Sequence, residues 1–374
     1  MARAGEATGL SDFGGDSFRT GLEILCRSAG EEARFTDMGR AAFEAQLVQH
    51  LGNRLQVEDW YTRHPEIEEQ QIVAPLIGLG LPRTGSTALS CLLAEDPAAR
   101  SIRNWEAMVP CPPPDLATQD TDPRIAMAEA SMERRSAMCP RAKQMLPSTA
   151  TSPTECQTYM AMDMQSQLFQ AFAHIPSYID WLNHTADLVP TYRYVKRILK
   201  LLQWRCPPKK WRLKNPSHSL FIGALHQVFP DARYWMTHRD IANVIPSVAD
   251  LYSEYSKAFS DQVDKKWLGA MTSEFCELGM QRMIAFRDTE NEDRFFDIHF
   301  APFQKDPFPV LAELYDWMGE PLTPDAVARM RVWRENTPRD KHGGHRYSPE
   351  DFGIDAAQLR TRFAFYTYRF GVLT

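Results

Sequence analysis

A glycine-containing loop is the first part of the sequence whose residues are suited to chemistry. In GLPRTGST, residues 80–87, four residues separate the two glycines, and a stretch of helical composition follows. Backbone N–H groups of such a loop converge on an anion, and the start of the next helix favours negative charge. The pattern predicts a phosphate-binding loop. A tight turn that uses its glycines only for geometry has the same spacing and stays open as an alternative.

The residue after the second glycine narrows the kind of phosphate ligand. A nucleoside triphosphatase places lysine there to reach the outer phosphates, whereas this chain has Ser86. Without that lysine, the loop suits a ligand with one 5′-phosphate-type group better than a triphosphate with its magnesium ion. Arg83, inside the loop, is a candidate for the missing positive charge. A phosphotransferase with a P-loop-like site is therefore disfavoured but stays open.

Two motifs resemble those of sulfotransferases that use 3′-phosphoadenosine 5′-phosphosulfate (PAPS). LPRTGST is similar to the family's 5′-phosphosulfate loop, in particular to the branch with PRTGST-type loops that includes bacterial members and is related to tyrosylprotein sulfotransferases. RYWMTHRDIANVIPS contains an arginine and a serine spaced like the family's pair for the 3′-phosphate. The resemblance covers about 74–251, with a weaker match at HRYSPEDFGID. It implies PAPS as co-substrate, PAP (3′-phosphoadenosine 5′-phosphate) as product, and nucleotide contacts from Pro82, Arg83, Thr84, Gly85, Ser86, Thr87, Arg239 and Ser247.

The resemblance leaves two candidates for the base that takes the proton of the acceptor. In the similar branch a glutamate about twenty residues beyond the loop is the base, and Glu106 occupies that place and ranks first. In cytosolic sulfotransferases a histidine after a lysine at a strand end is the base. His218 is the counterpart here, although two extra residues separate it from Lys214. Glu106 as a surface or helix-end carboxylate, and His218 as a capping or packing residue, are the alternatives.

The predicted catalytic set also contains two cations. Lys214 lies at the carboxyl-terminal end of a predicted strand, where α/β proteins bind ligands, so it is expected to contact the transferring sulfuryl group. Arg83 is expected to stabilise charge on the leaving 5′-phosphate. The set is thus Glu106, Lys214, His218 and Arg83, and no metal site is expected. In the tail, His342, His345, Arg346 and Tyr347 form either a flap over the nucleotide or an ordinary turn.

A parallel sheet and its helices must position these residues. Short apolar runs bounded by glycine or proline and separated by helical stretches are typical of buried parallel strands. The predicted strands are 74–81, 211–215, 233–239 and 294–300, and the predicted helices between them include 87–94 and 219–229. The sequence therefore predicts an α/β fold with a P-loop-like, mainly parallel sheet flanked by helices.

Two other regions have helical spacing. Residues 1–70 predict an N-terminal helical segment, with Thr36-Asp37 as a helix start. Residues of about 110–205 predict a helical cap, with helical periodicity at 126–135 and 156–173. We expect one domain over 1–374, with the nucleotide-binding core and its cap in 71–300. C-terminal helices and the closing tail follow in 301–374.

Composition excludes several functional classes. With 44% hydrophobic and 24% charged residues, the chain has the profile of a soluble globular protein. A net charge of −6 argues against a generic nucleic-acid binder. Seven scattered cysteines without a CxxC pair, and the lack of a long apolar run, favour a cytoplasmic protein. We expect a sulfotransferase with a small-molecule hydroxyl or amine acceptor. A non-catalytic nucleotide-binding protein is the other alternative, and the sequence fixes neither the acceptor nor the oligomeric state.

Overall fold

The structure is a computed structural model that describes residues 1–141, 148–207, 209–337 and 348–372. Contacts divide the chain into two compact units. The first consists of Met1–Val73, Ile102–Pro208 and Tyr252–Val263, and the second of Ala74–Ser101, Lys209–Leu251 and Asp264–Thr374. No single cut in the sequence separates them, because each unit is built from several chain segments.

The described residues contain many helices and a small sheet. The α-helices are α1 (Ala2–Thr8), α2 (Ser17–Glu31), α3 (Asp37–Arg63), α4 (Ser86–Ala94), α5 (Asn104–Met108), α6 (Pro123–Met138), α7 (Gln157–Ala161), α8 (Pro176–His184), α9 (Val189–Gln203), α10 (Ile222–Val228), α11 (Ile241–Ser256), α12 (Lys265–Arg287), α13 (Phe300–Lys305), α14 (Pro307–Met318), α15 (Pro324–Asn336), α16 (Ala356–Arg362) and α17 (Ala364–Phe370). Short 3-10 helices cover Pro65–Glu69, Gln167–Ala171, Pro216–Phe221, Glu292–Arg294 and Pro349–Phe352. Within this part of the chain no helix has both the length and the apolar composition needed to cross a membrane.

A five-stranded sheet forms the centre of the second unit. Its strands are β1 (Leu76–Leu79), β2 (Ala99–Arg100), β3 (Lys210–Lys214), β4 (Arg233–His238) and β5 (Phe295–His299). They lie in the order β2-β3-β1-β4-β5 and all neighbouring pairs are parallel. The predicted α/β fold with a parallel sheet is confirmed. Strand β2 was not predicted, because two residues are too few to produce a recognisable pattern.

Successive residues of β4 show that helices cover both faces of the sheet. Trp235 belongs to an apolar cluster with Leu89 of α4 and Leu311 of α14. The ring of the preceding residue, Tyr234, instead meets the ring of Phe286 on α12. Because a strand covered on both faces has an unbroken apolar run, the sequence pattern indicates β4 clearly.

The helical regions of the first unit agree with the prediction in part. Helix α3 begins as expected at Thr36-Asp37, and the Thr36 hydroxyl accepts a hydrogen bond from the Gly39 N–H at 3.0 Å. The predicted helix over 156–173 is wrong as one element, because the chain forms α7 and a 3-10 helix there. Between them Met164 has a left-handed φ of 54°, which a continuous α-helix cannot contain, and the neighbouring buried Asp163 carboxylate binds Arg54 at 2.9 Å.

His50 in α3 makes stability depend on pH. Its ring is buried against the Phe169 ring, with centroids 6.0 Å apart, and burial lowers the pKa of His50 to about 4. An unfolded histidine titrates near 6.5, so below that pH the unfolded chain binds more protons. The free energy of unfolding is therefore unaffected by His50 above pH 6.5 and falls as the pH approaches 4.

Replacing His50 with leucine is expected to reduce that loss of stability. Between pH 7.5 and pH 5, the free energy of unfolding should fall by about 2 kcal/mol less in His50→Leu than in the wild type. Denaturant unfolding at both pH values measures the difference. His184 is an exposed histidine of the same unit, so His184→Gln should follow the wild type. Equal losses of unfolding free energy in His50→Leu and the wild type would show that His50 does not cause the pH dependence.

Candidate active site

The predicted phosphate loop joins β1 to α4 in the second unit. Gly80 has a φ of 107° and Gly85 a φ of 90°, both in the left-handed region. Gly85 is also the N-cap of α4, so the loop turns directly into the helix. A β-carbon at position 85 would lie 3.2 Å from the Phe300 ring. Both the backbone conformation and the lack of space therefore require glycine at position 85.

Arg83 has a strained backbone within this loop. Its φ is 62°, a conformation that costs a non-glycine residue about 1–2 kcal/mol. Such outliers cluster at ligand sites and persist where the surrounding structure holds them in place. Its Nε donates to the Ser247 hydroxyl at 3.1 Å, and its carbonyl oxygen accepts from Nη1 of Arg239 at 3.0 Å.

These contacts bring three predicted nucleotide-binding residues into one cluster. Arg83 lies in the loop, Arg239 directly follows β4, and Ser247 is buried on α11. The Arg239 guanidinium also lies over the Phe300 ring, 4.4 Å from its centroid. Two guanidinium groups and a hydroxyl form a site for an anion of high charge such as a phosphate. The contact between Arg83 and the pair of Arg239 and Ser247 was not predicted, because the family resemblance implies different phosphates for them.

The strand order explains why the cluster lies between these strands. From β1 the chain continues to β2 at one edge of the sheet, whereas from β4 it continues to β5 at the other edge. The segments after β1 and β4 therefore diverge, and a crevice opens beyond the carboxyl ends of these two neighbours. Open α/β sheets bind ligands at such switch points.

The other predicted loop residues have different degrees of exposure. The Thr84 hydroxyl is fully buried, donates to the Leu81 carbonyl at 2.8 Å and hydrogen-bonds the Thr237 hydroxyl at the end of β4. Thr84 thus attaches the loop to the sheet with its side chain, and only its backbone is available for a ligand. Ser86 is buried, while Pro82 and Thr87 are half-buried.

Lys214 lies where the sequence predicts it. It is the last residue of β3, it is buried, and it pairs in register with Gly78 of β1. Its positive charge also acts on Cys91 of α4: burial raises the pKa of that thiol to about 11, and Lys214 opposes the rise. Lys214 therefore places a cation beside the helix that begins at the loop.

His218 lies in the 3-10 helix that follows β3. The Asn215 side chain begins this helix, because its Oδ1 accepts from the Ser217 N–H at 3.3 Å. Burial lowers the pKa of His218 to about 3. The imidazole is therefore neutral at pH 7, which is the protonation state of a base, but so low a pKa makes the ring a weak proton acceptor.

Glu106 belongs to the first unit, near the start of α5. Its side chain is fully buried, so it is not a surface carboxylate. Oε2 accepts from the Arg103 backbone N–H at 3.0 Å, and Oε1 accepts from Nη2 of the same residue at 2.9 Å. Glu106 thus caps its helix and forms an ion pair. The helix-end role, one of the alternatives, is therefore present, and it does not exclude catalysis.

Two residues beside Arg239 were not predicted from the sequence. Phe300, at the start of α13, supplies the ring under the guanidinium. Asp240 accepts from the Ala242 N–H at 3.1 Å and from Nη2 of Arg360 at 2.6 Å, so it anchors the chain immediately after Arg239. An acidic residue directly before a helical stretch is a capping signal that could have identified Asp240. Nothing local indicates Phe300.

Two predictions concern metals and the tail. Among residues 1–141, 148–207, 209–337 and 348–372, no group of three or more His, Cys, Asp or Glu side chains is placed to hold a metal ion. The predicted flap residues His342, His345, Arg346 and Tyr347 lie outside the described residues. Their role stays a prediction.

Comparisons with known proteins identify the family. The family model described as the sulfotransferase family matches residues 75–324. The crystal structure of sulfotransferase STF9 from Mycobacterium avium superposes with a TM-score of 0.92 at 34% identity, covering 99% of this chain and 95% of that chain. Sulfotransferase STF1 from Mycobacterium tuberculosis H37Rv gives a TM-score of 0.87 at 30% identity, covering 97% of each chain. Comparison with curated proteins gave no match. The family match and both structures show that the chain is an enzyme of the sulfotransferase family.

Proposed function

We propose that this enzyme takes a sulfuryl group from PAPS and transfers it to a hydroxyl or amine of a small-molecule acceptor. The observation that carries the proposal is the cluster of Arg83, Arg239 and Ser247, which gathers cationic and hydroxyl donors beside a phosphate loop. PAPS has a 3′-phosphate that ATP-like ligands lack, so a second anion site next to the loop suits it.

The two ends of the nucleotide are assigned to different parts of the site. The 5′-phosphosulfate is placed at the loop, where backbone N–H groups and the start of α4 favour negative charge. The 3′-phosphate is placed at Arg239 and Ser247. Arg83 contacts Ser247, so in this arrangement it lies beside the 3′-phosphate donors, and reaching the leaving 5′-phosphate requires its side chain to turn.

The proposed reaction is a direct transfer. The acceptor oxygen or nitrogen forms a bond to sulfur while the bond between sulfur and the 5′-phosphate oxygen breaks, and PAP leaves. The acceptor proton passes to a base, for which Glu106 ranks first and His218 second. Lys214, at the carboxyl end of β3, is assigned to the sulfuryl oxygens, where negative charge must be stabilised in the transition state.

A cytoplasmic location is part of the proposal. All seven cysteines are free thiols, and free thiols are typical of proteins in reducing compartments.

Calorimetry without magnesium tests the nucleotide part. PAP is expected to bind the wild-type enzyme at least tenfold more tightly than ADP, because only PAP has a 3′-phosphate for Arg239 and Ser247. Equal affinities would contradict the proposed 3′-phosphate site. The loop would then be a general phosphate-binding loop. Transfer of labelled sulfuryl from PAPS to a panel of phenols, alcohols and amines then identifies the acceptor class.

A further inference from the structure

A network of polar groups, in which His238 and Tyr366 are buried and Asp297 is half-buried, adjoins Arg239. His238, the last residue of β4, is fully buried, and its Nε2 lies 2.8 Å from Oδ1 of Asp297 on β5. Its Nδ1 lies 3.1 Å from the Tyr366 hydroxyl on α17. The Tyr366 hydroxyl also accepts a hydrogen bond from the backbone of Arg239. Tyr366 therefore connects the His238 ring with the backbone of Arg239.

The donors and acceptors of these hydrogen bonds are mutually consistent. Asp297 is an acceptor, so Nε2 of His238 carries the ring proton and Nδ1 accepts from the Tyr366 O–H. That leaves the Tyr366 oxygen to accept from the Arg239 N–H. Burial lowers the pKa of His238 despite the opposing effect of Asp297, and these hydrogen bonds require the neutral ring.

An ion pair holds Asp297, and ring stacking holds His238. Arg287 of α12 donates to both Asp297 oxygens, at 2.9 and 2.7 Å, and also binds Glu292 at 2.6 Å. The His238 ring stacks on the Phe370 ring, with centroids 4.4 Å apart. Buried polar groups cost free energy unless every partner is in place, so such a network adopts one arrangement. A fixed arrangement here fixes the peptide from which the Arg239 side chain extends.

We propose that His238, Asp297 and Tyr366 are positioning residues that hold the Arg239 backbone in the orientation needed to bind the 3′-phosphate, and thereby set the enzyme's preference for 3′-phosphorylated nucleotides. The inference rests on the proposed function. None of the three residues is assigned a contact with the nucleotide, so each acts through Arg239.

The test compares PAP with adenosine 5′-monophosphate (AMP), which lacks only the 3′-phosphate. Calorimetry gives the dissociation constant of each nucleotide. The constant for AMP divided by the constant for PAP measures the preference for the 3′-phosphate. Tyr366→Phe removes the hydroxyl alone, and it is expected to lower this ratio by about threefold to tenfold, the range of one hydrogen bond, with AMP affinity unchanged. Asp297→Asn should lower the ratio in the same way. Tyr368 is 93% exposed on the same helix, so Tyr368→Phe is the matched control and should keep the wild-type ratio.

A double-mutant cycle separates positioning from general stabilisation. In an Arg239→Ala background the network has no guanidinium to orient, so adding Tyr366→Phe should leave the ratio unchanged. Loss of AMP and PAP affinity in equal measure, an unchanged ratio in both network variants, or additive effects in the cycle would overturn the inference. If the wild type itself shows no preference for PAP over AMP, the proposed nucleotide site fails first, and that result is visible before any network variant is measured.

Discussion

A Glu106→Gln variant is expected to bind PAP like the wild type and to have a kcat about 10²-fold to 10⁴-fold lower, the usual contribution of a general base. Glutamine keeps an acceptor oxygen for the Arg103 backbone N–H, which now donates to Oε2 at 3.0 Å, but it removes the negative charge and its amide nitrogen cannot accept from Nη2 of Arg103. Helix α5 should therefore keep its cap. Steady-state transfer from labelled PAPS measures kcat, and thermal denaturation checks the fold.

Two further variants test whether a fall in kcat means that Glu106 is the general base. Glu129 belongs to the same unit, and its Oε1 accepts from the Ala150 N–H at 2.8 Å, so Glu129→Gln is a matched control with unchanged kcat. His218→Asn tests the second candidate. A wild-type kcat in Glu106→Gln together with a large loss in His218→Asn would reverse the ranking and make the neutral, buried imidazole the base.

Replacing Arg239 with alanine is expected to weaken PAP binding by about 30-fold to 100-fold, since a charge-assisted hydrogen bond to phosphate contributes about 2–3 kcal/mol. AMP affinity should change by less than about threefold. Because the 3′-phosphate is far from the reacting sulfur along the nucleotide, the Michaelis constant for PAPS should rise much more than kcat falls. Calorimetry with both nucleotides and steady-state kinetics measure these effects.

Arg233 offers the control for this arginine. It lies at the opposite end of the same strand, with its guanidinium 3.6 Å from the centroid of the Trp317 ring. Arg233→Ala removes an equal charge and a similar ring contact, and it should leave the preference for PAP over AMP unchanged. A similar fall in that preference in both variants would show that Arg239 acts through the stability of β4 rather than through the phosphate.

The sequence predicts the centre of the sheet and its ligand-binding edge well for a physical reason. Residues 234–238 form an unbroken buried run because helices cover both faces of β4, and the same burial makes the pattern visible without tertiary information. The glycine spacing of the loop likewise reflects a local requirement, namely left-handed backbone at Gly80 and Gly85. Features whose cause is local can be read from a sequence.

Features caused by distant partners could not be predicted. His238 and Asp297 are 59 residues apart in sequence, and no periodicity links them. Glu106 and Arg103 have the geometry of a capping box, but an arginine at the N-cap does not match the usual Ser or Thr pattern. The break between α7 and the next 3-10 helix likewise lies beside Asp163, whose partner Arg54 is 109 residues away in sequence. In each case the deciding interaction forms only when the chain is folded.

The left-handed backbone at Arg83 has an evolutionary consequence. Glycine at this position would relieve about 1 kcal/mol of strain and so stabilise the folded chain, and selection for stability alone would favour that change. Arginine gives the loop nothing in return except its guanidinium. Given the proposed role of Arg83 in binding PAPS, stability and ligand binding conflict at position 83, and a descendant released from sulfuryl transfer would be expected to lose this arginine early.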